Sequence, residues 1–264
     1  MPRYAAVLIT GASSGIGHAL ALACAAPGVV LHLGGRDAAR LEAVAVACRA
    51  RGATALPRVV DVRDAADVAD WIDSAEKLDL VVANAGIGAG IADGAPEPAA
   101  QVRAIFATNL AGALNTVLPA LEKLRRQPSG ADGVRGRIAA VASIAGFIPA
   151  PGAPSYCASK AALDAWTVAT APAARAHGVR LTSVCPGYIR TPMTAQNRFP
   201  MPGLMSADRA ARIILRAIDA GRIRVAFPWW MAAVARLGGL LPPRLTGAVM
   251  ARSPGKAGLP VDRQ

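Results

Sequence analysis

Residues 10–17 read T-G-A-S-S-G-I-G, directly after a short apolar run at 6–10 and directly before an alanine-rich stretch of helical character. No other feature constrains the fold as much. A glycine turn between a strand and a helix opens a βα unit and leaves unpaired N–H groups at the helix N-terminus, where an anion can sit. Gly11 suits the tight turn, Gly15 a close backbone approach to a pyrophosphate, and Gly17 close helix–strand packing. The spacing is G-x-x-x-G-x-G and not the commoner G-x-G-x-x-G. Gly11, Ser13, Ser14, Gly15, Ile16 and Gly17 are the candidate phosphate contacts.

The rest of the chain repeats this alternation. Strands are expected at 6–10, 29–34, 56–60, 78–84, 137–142 and 180–185. Helices are expected from the glycine turn to about Ala25, over 38–51, around 65–76, over 99–126 with a bend at Pro119, and from Tyr156 onward. Strands alternating with helices of this length imply βαβ units with right-handed crossovers, hence an α/β, doubly wound parallel sheet flanked by helices. No repeat and no linker divides the chain, so one domain is expected.

The carboxyl ends of these strands carry the candidate cofactor residues. The second strand ends at Gly34-Gly35-Arg36, where an acidic residue would bind the ribose 2′-OH of NAD and an arginine the 2′-phosphate of NADP. With Gly35 at the acidic position and Arg36 beside it, NADP(H) is preferred and NAD(H) stays open. Asp61 and Val62 end the third strand, and Asn84, Ala85 and Gly86 end the fourth. Further on, Tyr156 and Lys160 are four residues apart and share a helix face. A phenol is a poor proton donor or acceptor at neutral pH, and a nearby ammonium is expected to lower its pKa toward the working range. Ser143, expected at the end of the fifth strand, could polarise a carbonyl.

Taken together, these motifs resemble the short-chain dehydrogenase/reductase family in its compact, single-domain form. The resemblance rests on T-G-A-S-S-G-I-G at 10–17, D-V at Asp61, N-A-G at 84–86, Asn109, Ser143, Y-C-A-S-K at 156–160 and P-G-Y-I-R-T-P-M at 186–193, in family order. It runs from about Ala6 to about Phe227 and implies a single-domain Rossmann-type fold over 1–227, with 228–264 an apolar extension and polar tail. It also implies roles. Tyr156 would exchange a proton with the substrate oxygen, and Lys160 would hold the nicotinamide ribose. Ser143 would orient the carbonyl, and Asn109 would hold a water linking Lys160 to solvent. Pro186, Gly187, Ile189 and Thr191 would flank the nicotinamide, Ile189 and Thr191 meeting its carboxamide. No metal enters.

Three segments depart from the family pattern. Pro172 falls inside the helix opened by Tyr156, is expected to kink or end it, and so puts the usual homo-oligomer interface in question. The loop 127–136 is long and basic. The segment 194–205, with Phe199, Met201, Leu204 and Met205, is either a loop packed on its own core or a substrate cover that suits a lipophilic carbonyl or alcohol better than a sugar.

The C-terminal stretch 227–241 carries Trp229, Trp230, Met231, Leu237, Leu240 and Leu241, broken by Arg236 and Gly238-Gly239. It is too short to span a bilayer. Peripheral contact with a membrane, a cap on the substrate pocket and a subunit interface all stay open for it. Residues 252–264 read as a polar tail.

Composition narrows the partners. The net charge is +12, but the arginines are scattered apart from Arg125, Arg126, Arg135 and Arg137, and no zinc spacing or aromatic-basic RNA motif accompanies them. A solvated surface is therefore expected, not nucleic-acid binding. The apolar run 7–9 is too short for a secretory signal, and no uncharged run reaches the ~20 residues of a membrane span. Cys24, Cys48, Cys157 and Cys185 show no C-x-x-C pair, which fits reduced thiols in a cytoplasmic protein, peripheral to the inner face of a membrane if the C-terminal stretch docks there. The leading expectation is an NADPH-dependent carbonyl reductase of a hydrophobic, lipid-like substrate. The alternatives are an NAD(P)-dependent secondary-alcohol dehydrogenase and a non-catalytic cofactor-binding regulator.

Overall fold

A computed structural model of the chain describes residues 4–91, 96–130, 132–197, 199–242, 244–245 and 258. The order begins β1 (Ala6–Thr10), α1 (Gly15–Cys24), β2 (Val30–Gly35), α2 (Ala38–Arg49), β3 (Thr54–Val59), α3 (Ala65–Ser74) and β4 (Leu80–Ala83). Next come α4 (Ala99–Phe106), α5 (Gly112–Arg126), β5 (Gly136–Val141), α6 (Pro154–Ala176) and β6 (Val179–Pro186). Short β7 (Ile189–Arg190), α7 (Pro192–Ala195) and β8 (Met205–Ser206) lead into α8 (Ala207–Asp219), β9 (Arg224–Phe227) and α9 (Trp229–Gly239).

Seven strands form one parallel sheet in the order β3-β2-β1-β4-β5-β6-β9, a Rossmann-type α/β arrangement. The strand order reverses between β1 and β4, which opens a crevice at their carboxyl ends. Side chains alternate across the sheet. Val7, Ile9, Leu31 and Leu33 pack toward α1, α2 and α8, while Leu8, Val81, Ile138 and Leu181 pack toward α3, α5 and α6. All five residues of β1 are buried, as a central parallel strand covered on both faces requires. Pro57 lies in β3, an edge strand, where a missing N–H leaves no ladder partner unserved. Asp37 and Asp64 cap α2 and α3 by accepting first-turn N–H groups, so polar residues mark where these helices start.

Two expectations are corrected. The single helix expected over 99–126 is two α-helices joined by a π-helical turn at Ala107–Ala111, and Pro119 is carried within α5. The π-turn is supported by Asn109, whose amide bonds the backbone of Ile87. Pro172 does not end α6, which runs 23 residues through it. Pro172 is exposed while Ala171 and Ala174 are buried against the sheet, so packing outweighs the local loss of one hydrogen bond. Within the basic cluster Arg125 and Arg126 share Glu122, Arg137 pairs with Asp132, and Arg135 donates to the Gln127 carbonyl, so two carboxylates face four guanidiniums.

Elements α8, β9 and the β7–β8 pair go beyond the sequence-based expectations. The tail expected at 252–264 lies outside the described residues apart from Gly258. Among the described residues, the stretch Ala99–Arg126 is long and apolar enough to cross a bilayer, but it is half-buried against the rest of the protein.

Candidate active site

The glycine turn is locked to the end of β4. The Thr10 hydroxyl accepts N–H groups from Asn84 and Ala85 at 3.0 and 3.2 Å, and the Asn84 amide donates to the carbonyls of Thr10 and Gly11 at 3.0 and 3.1 Å. Thr10 is a site residue that the motif reading leaves out, although a hydroxyl opening the turn is visible in the sequence. Gly11 adopts φ +65°, and a Cβ there would stand 2.8 Å from Ala85 Cα. A Cβ on Gly17 would lie 2.3 Å from the Gly11 carbonyl oxygen, so helix and turn approach as only glycine permits. Ser14 precedes α1 in extended conformation and no side chain caps the helix, which leaves its first-turn N–H groups for an anion.

A cavity of about 860 Å³ runs from this turn along the sheet edge. Gly11, Ser13, Ser14, Gly15, Ile16, Arg36, Asp61, Val62, Asn84, Ala85 and Gly86 line it, then Ser143, Tyr156, Lys160, Pro186, Gly187, Ile189 and Thr191. Gly17 and Asn109 stand behind its wall. Asp37, Arg40, Ile87, Thr108 and Thr194 also line it and are not among the residues the motifs name. They flank motif residues, with no sequence signal of their own.

At one end, Asp37 is held by Arg40 and Asp61 by Arg63, each at 2.6 Å. The bonds from Arg63 keep the Asp61 carboxyl below its ordinary range. Among the described residues no carboxylate is in ion-pair contact with Arg36, which is exposed at the rim. An elongated cleft, uncapped helix amides, glycines where a Cβ would clash and a guanidinium without a carboxylate together fit a dinucleotide with phosphates at α1 and its adenosine ribose near Arg36.

At the other end, Ser143 lies two residues past β5 and caps a 3-10 turn at Ile144–Phe147, accepting from Ala145 N at 3.1 Å. Its hydroxyl also reaches the Pro186 carbonyl at 3.4 Å and shares a hydrogen bond with the Tyr156 hydroxyl. Tyr156 sits in the first turn of α6. That turn has no cap from its own N-cap residue; the carboxylate of Glu97 accepts both Ser155 N–H and Ser155 O–H and also the Gln101 amide. Glu97 and Gln101 thus position the helix end that carries Tyr156, through a long-range contact the sequence does not reveal.

Lys160 is buried one turn on, its ammonium donating to the Val141 carbonyl at 2.8 Å, and burial lowers its pKa to about 8. The expected depression of the Tyr156 pKa is corrected: burial raises it, with the Ser143 hydrogen bond pulling the other way. Asn109 is fully buried and binds Ile87 through both amide atoms. A Cβ on Gly86 would stand 3.2 Å from Asn109 Oδ1 and 3.5 Å from Lys160 Nζ, so these two residues meet across Gly86. On the facing loop, Thr191 caps α7 reciprocally with Thr194, whose hydroxyl donates to Ile189 O at 2.6 Å.

The family model for short chain dehydrogenases matches residues 5–201. An uncharacterized oxidoreductase of Myxococcus xanthus is 37% identical over 253 residues, covering 94% of this chain and 97% of that protein. The crystal structure of a short-chain type dehydrogenase/reductase from Mycobacterium marinum superposes with TM-score 0.73 at 29% identity, covering 84% of this chain and 92% of that one. A short-chain dehydrogenase from Sphingobium yanoikuyae, solved in complex with NADPH, shares the fold with TM-score 0.77 at 23% identity, covering 98% and 99%. The chain belongs to the short-chain dehydrogenase family. It is an enzyme, an NAD(P)-dependent oxidoreductase.

Proposed function

We propose that this enzyme is an NADPH-dependent reductase of a carbonyl group on a hydrophobic, lipid-like substrate, with Tyr156 as the proton donor. The observation that carries the reading is that Ser143, Tyr156 and, one helical turn on, the buried Lys160 line the same end of the cleft. The bound cofactor supplies the hydride to the carbonyl carbon. Ser143 and Tyr156 hydrogen-bond the carbonyl oxygen, Tyr156 gives it a proton as negative charge develops, and the Lys160 ammonium stabilises the phenolate left behind. Lys160 would also hold the nicotinamide ribose. Asn109 fixes the turn at Ile87 and would hold the water that reconnects Lys160 to solvent. Ile189 and Thr191, on the cleft wall, would meet the carboxamide.

Burial favours the protonated phenol, and a protonated phenol serves reduction directly. The reverse reaction, oxidation of a secondary alcohol, needs the phenolate, so it is the second reading. Arg36, beside a residue with no carboxylate, supports NADP(H) over NAD(H). The hydrophobic substrate is supported by Met193 on the cleft wall.

The test is oxidation of NADPH and of NADH over a panel of ketones graded in chain length. Turnover should appear with NADPH and rise with apolar length. Tyr156→Phe should lower it about 100-fold or more with NADPH binding retained. Near-wild-type turnover in that variant would remove Tyr156 from its role.

A further inference from the structure

Helix α9 is apolar on two opposite faces. The inner face closes on the catalytic end of the fold: Ala232 and Ala235 are buried, and a Cβ on Gly187 would stand 3.0 Å from Met231 Sδ. Gly239 passes so near the 3-10 turn that a Cβ would lie 2.2 Å from the Phe147 carbonyl oxygen. The outer face is open. Trp229 is 78% exposed, Val234 64%, Leu237 66% and Leu240 81%. Steps of three to five residues keep these side chains on one side of the helix. Single exposed apolar residues are ordinary, but a stripe of large ones marks a surface that something covers.

Charge selects what covers it. Residues 220–261 contain no Asp or Glu, while Arg222 and Arg244 flank the stripe in sequence and Arg236 lies within it. Arg236 stands 4.5 Å over the Phe147 ring, and both Arg236 and Arg244 are exposed. A second copy of this chain docking stripe to stripe would bring these cations against themselves, with no carboxylate in the segment to offset them. An anionic surface meets both requirements, apolar depth and positive rim. The helix has 11 residues, about half of what a bilayer's hydrocarbon core needs, so it lies in the interface plane.

We propose that α9 docks the enzyme on an anionic lipid bilayer. The Trp229, Val234, Leu237 and Leu240 side chains enter the acyl boundary, and Arg236 and Arg244 lie among the headgroups. The inner face of the same helix then holds the catalytic turn close to the membrane surface. The docking rests on the outer face alone and stands independently of the reductase reading.

Co-sedimentation of the full chain with phosphatidylcholine vesicles, with and without phosphatidylglycerol, tests it. Binding should require phosphatidylglycerol and weaken as salt is raised. Leu237→Ser and Leu240→Ser, both on the exposed face, should each lower the partition coefficient about tenfold without changing the melting temperature or NADPH binding. Arg244→Gln should reduce the preference for anionic over neutral vesicles. No binding to phosphatidylglycerol vesicles would overturn the proposal. So would equal binding to neutral ones, or a dimer in solution that Leu237→Ser converts to a monomer while vesicles are ignored.

Discussion

Arg224 forks onto Asp164, its Nε and Nη2 each 2.8 Å from one carboxylate oxygen, and so ties the last strand of the sheet to the middle of the catalytic helix. Asp164 also accepts from the Ser183 hydroxyl at 2.6 Å and from Cys185 Sγ at 3.3 Å. Asp164 is 5% exposed. Asp164→Ala would leave a partly buried guanidinium and a hydroxyl without their acceptor. We expect a loss of about 2–4 kcal/mol, the lower half of the range being favoured because Arg224 keeps some contact with water. Urea unfolding measures it, and a loss under about 1 kcal/mol would show that the network is slack. Burial first, and Asp164 second, push the Cys185 thiol up to about 12, so Cys185 should resist thiol reagents at neutral pH.

Arg36 is the position that should separate the two cofactors. Asp37 and Asp61 form ion pairs with Arg40 and Arg63, and Arg36 forms none with either. Arg36→Ala should weaken NADP(H) about ten- to a hundredfold and leave NAD(H) nearly unchanged, the loss of one charge-assisted contact. Titration of both cofactors reads this directly. Equal losses would assign Arg36 to the shared part of the dinucleotide.

Lys160 links stability to pH. Its folded pKa, about 8, lies below the ordinary 10.5 because burial penalises the charged form. Below pH 8 both states carry the proton and the native state bears the whole cost. Between pH 8 and 10.5 the unfolded chain binds a proton that the native state has released, so this contribution makes stability rise with pH. Lys160→Met removes the effect. The stability of Lys160→Met relative to wild type should therefore fall by up to about 3 kcal/mol between about pH 7 and pH 10. A difference that stays flat across that window would mean that the ammonium is better solvated than its position implies.

Gly17 tests the cofactor turn. A methyl there would sit 2.3 Å from the Gly11 oxygen and 2.6 Å from the Asn84 amide nitrogen, both part of the lock between the turn and β4. Gly17→Ala should weaken NADPH at least tenfold and lower the melting temperature. Gly28→Ala is the control: it has the same chemistry and a positive φ of +82°, but nothing lies within 4 Å, so only backbone strain should register. Loss of NADPH affinity in the control alone would refute the steric account.

Local chemistry alone determined much of this enzyme. Glycines that must adopt positive φ or accept close backbone contact, a Tyr and a Lys one helical turn apart, and apolar strands alternating with helices are short-range patterns. Each is legible in the order of residues, and so is the parallel sheet they build. What escapes reading depends on residues far apart in the chain. The π-turn exists because Asn109 reaches Ile87, which local helix propensity cannot register. Pro172 stays inside α6 because packing of Ala171 and Ala174 exceeds a local penalty. Glu97 caps the catalytic helix across 58 residues of sequence, and Arg224 finds Asp164 across 60. The direction of the Tyr156 pKa also fell to the tertiary structure. Spacing puts Lys160 on the same helix face, but how deeply a phenol is buried, and which carbonyl takes the ammonium, is settled only when β5 and α6 close around them.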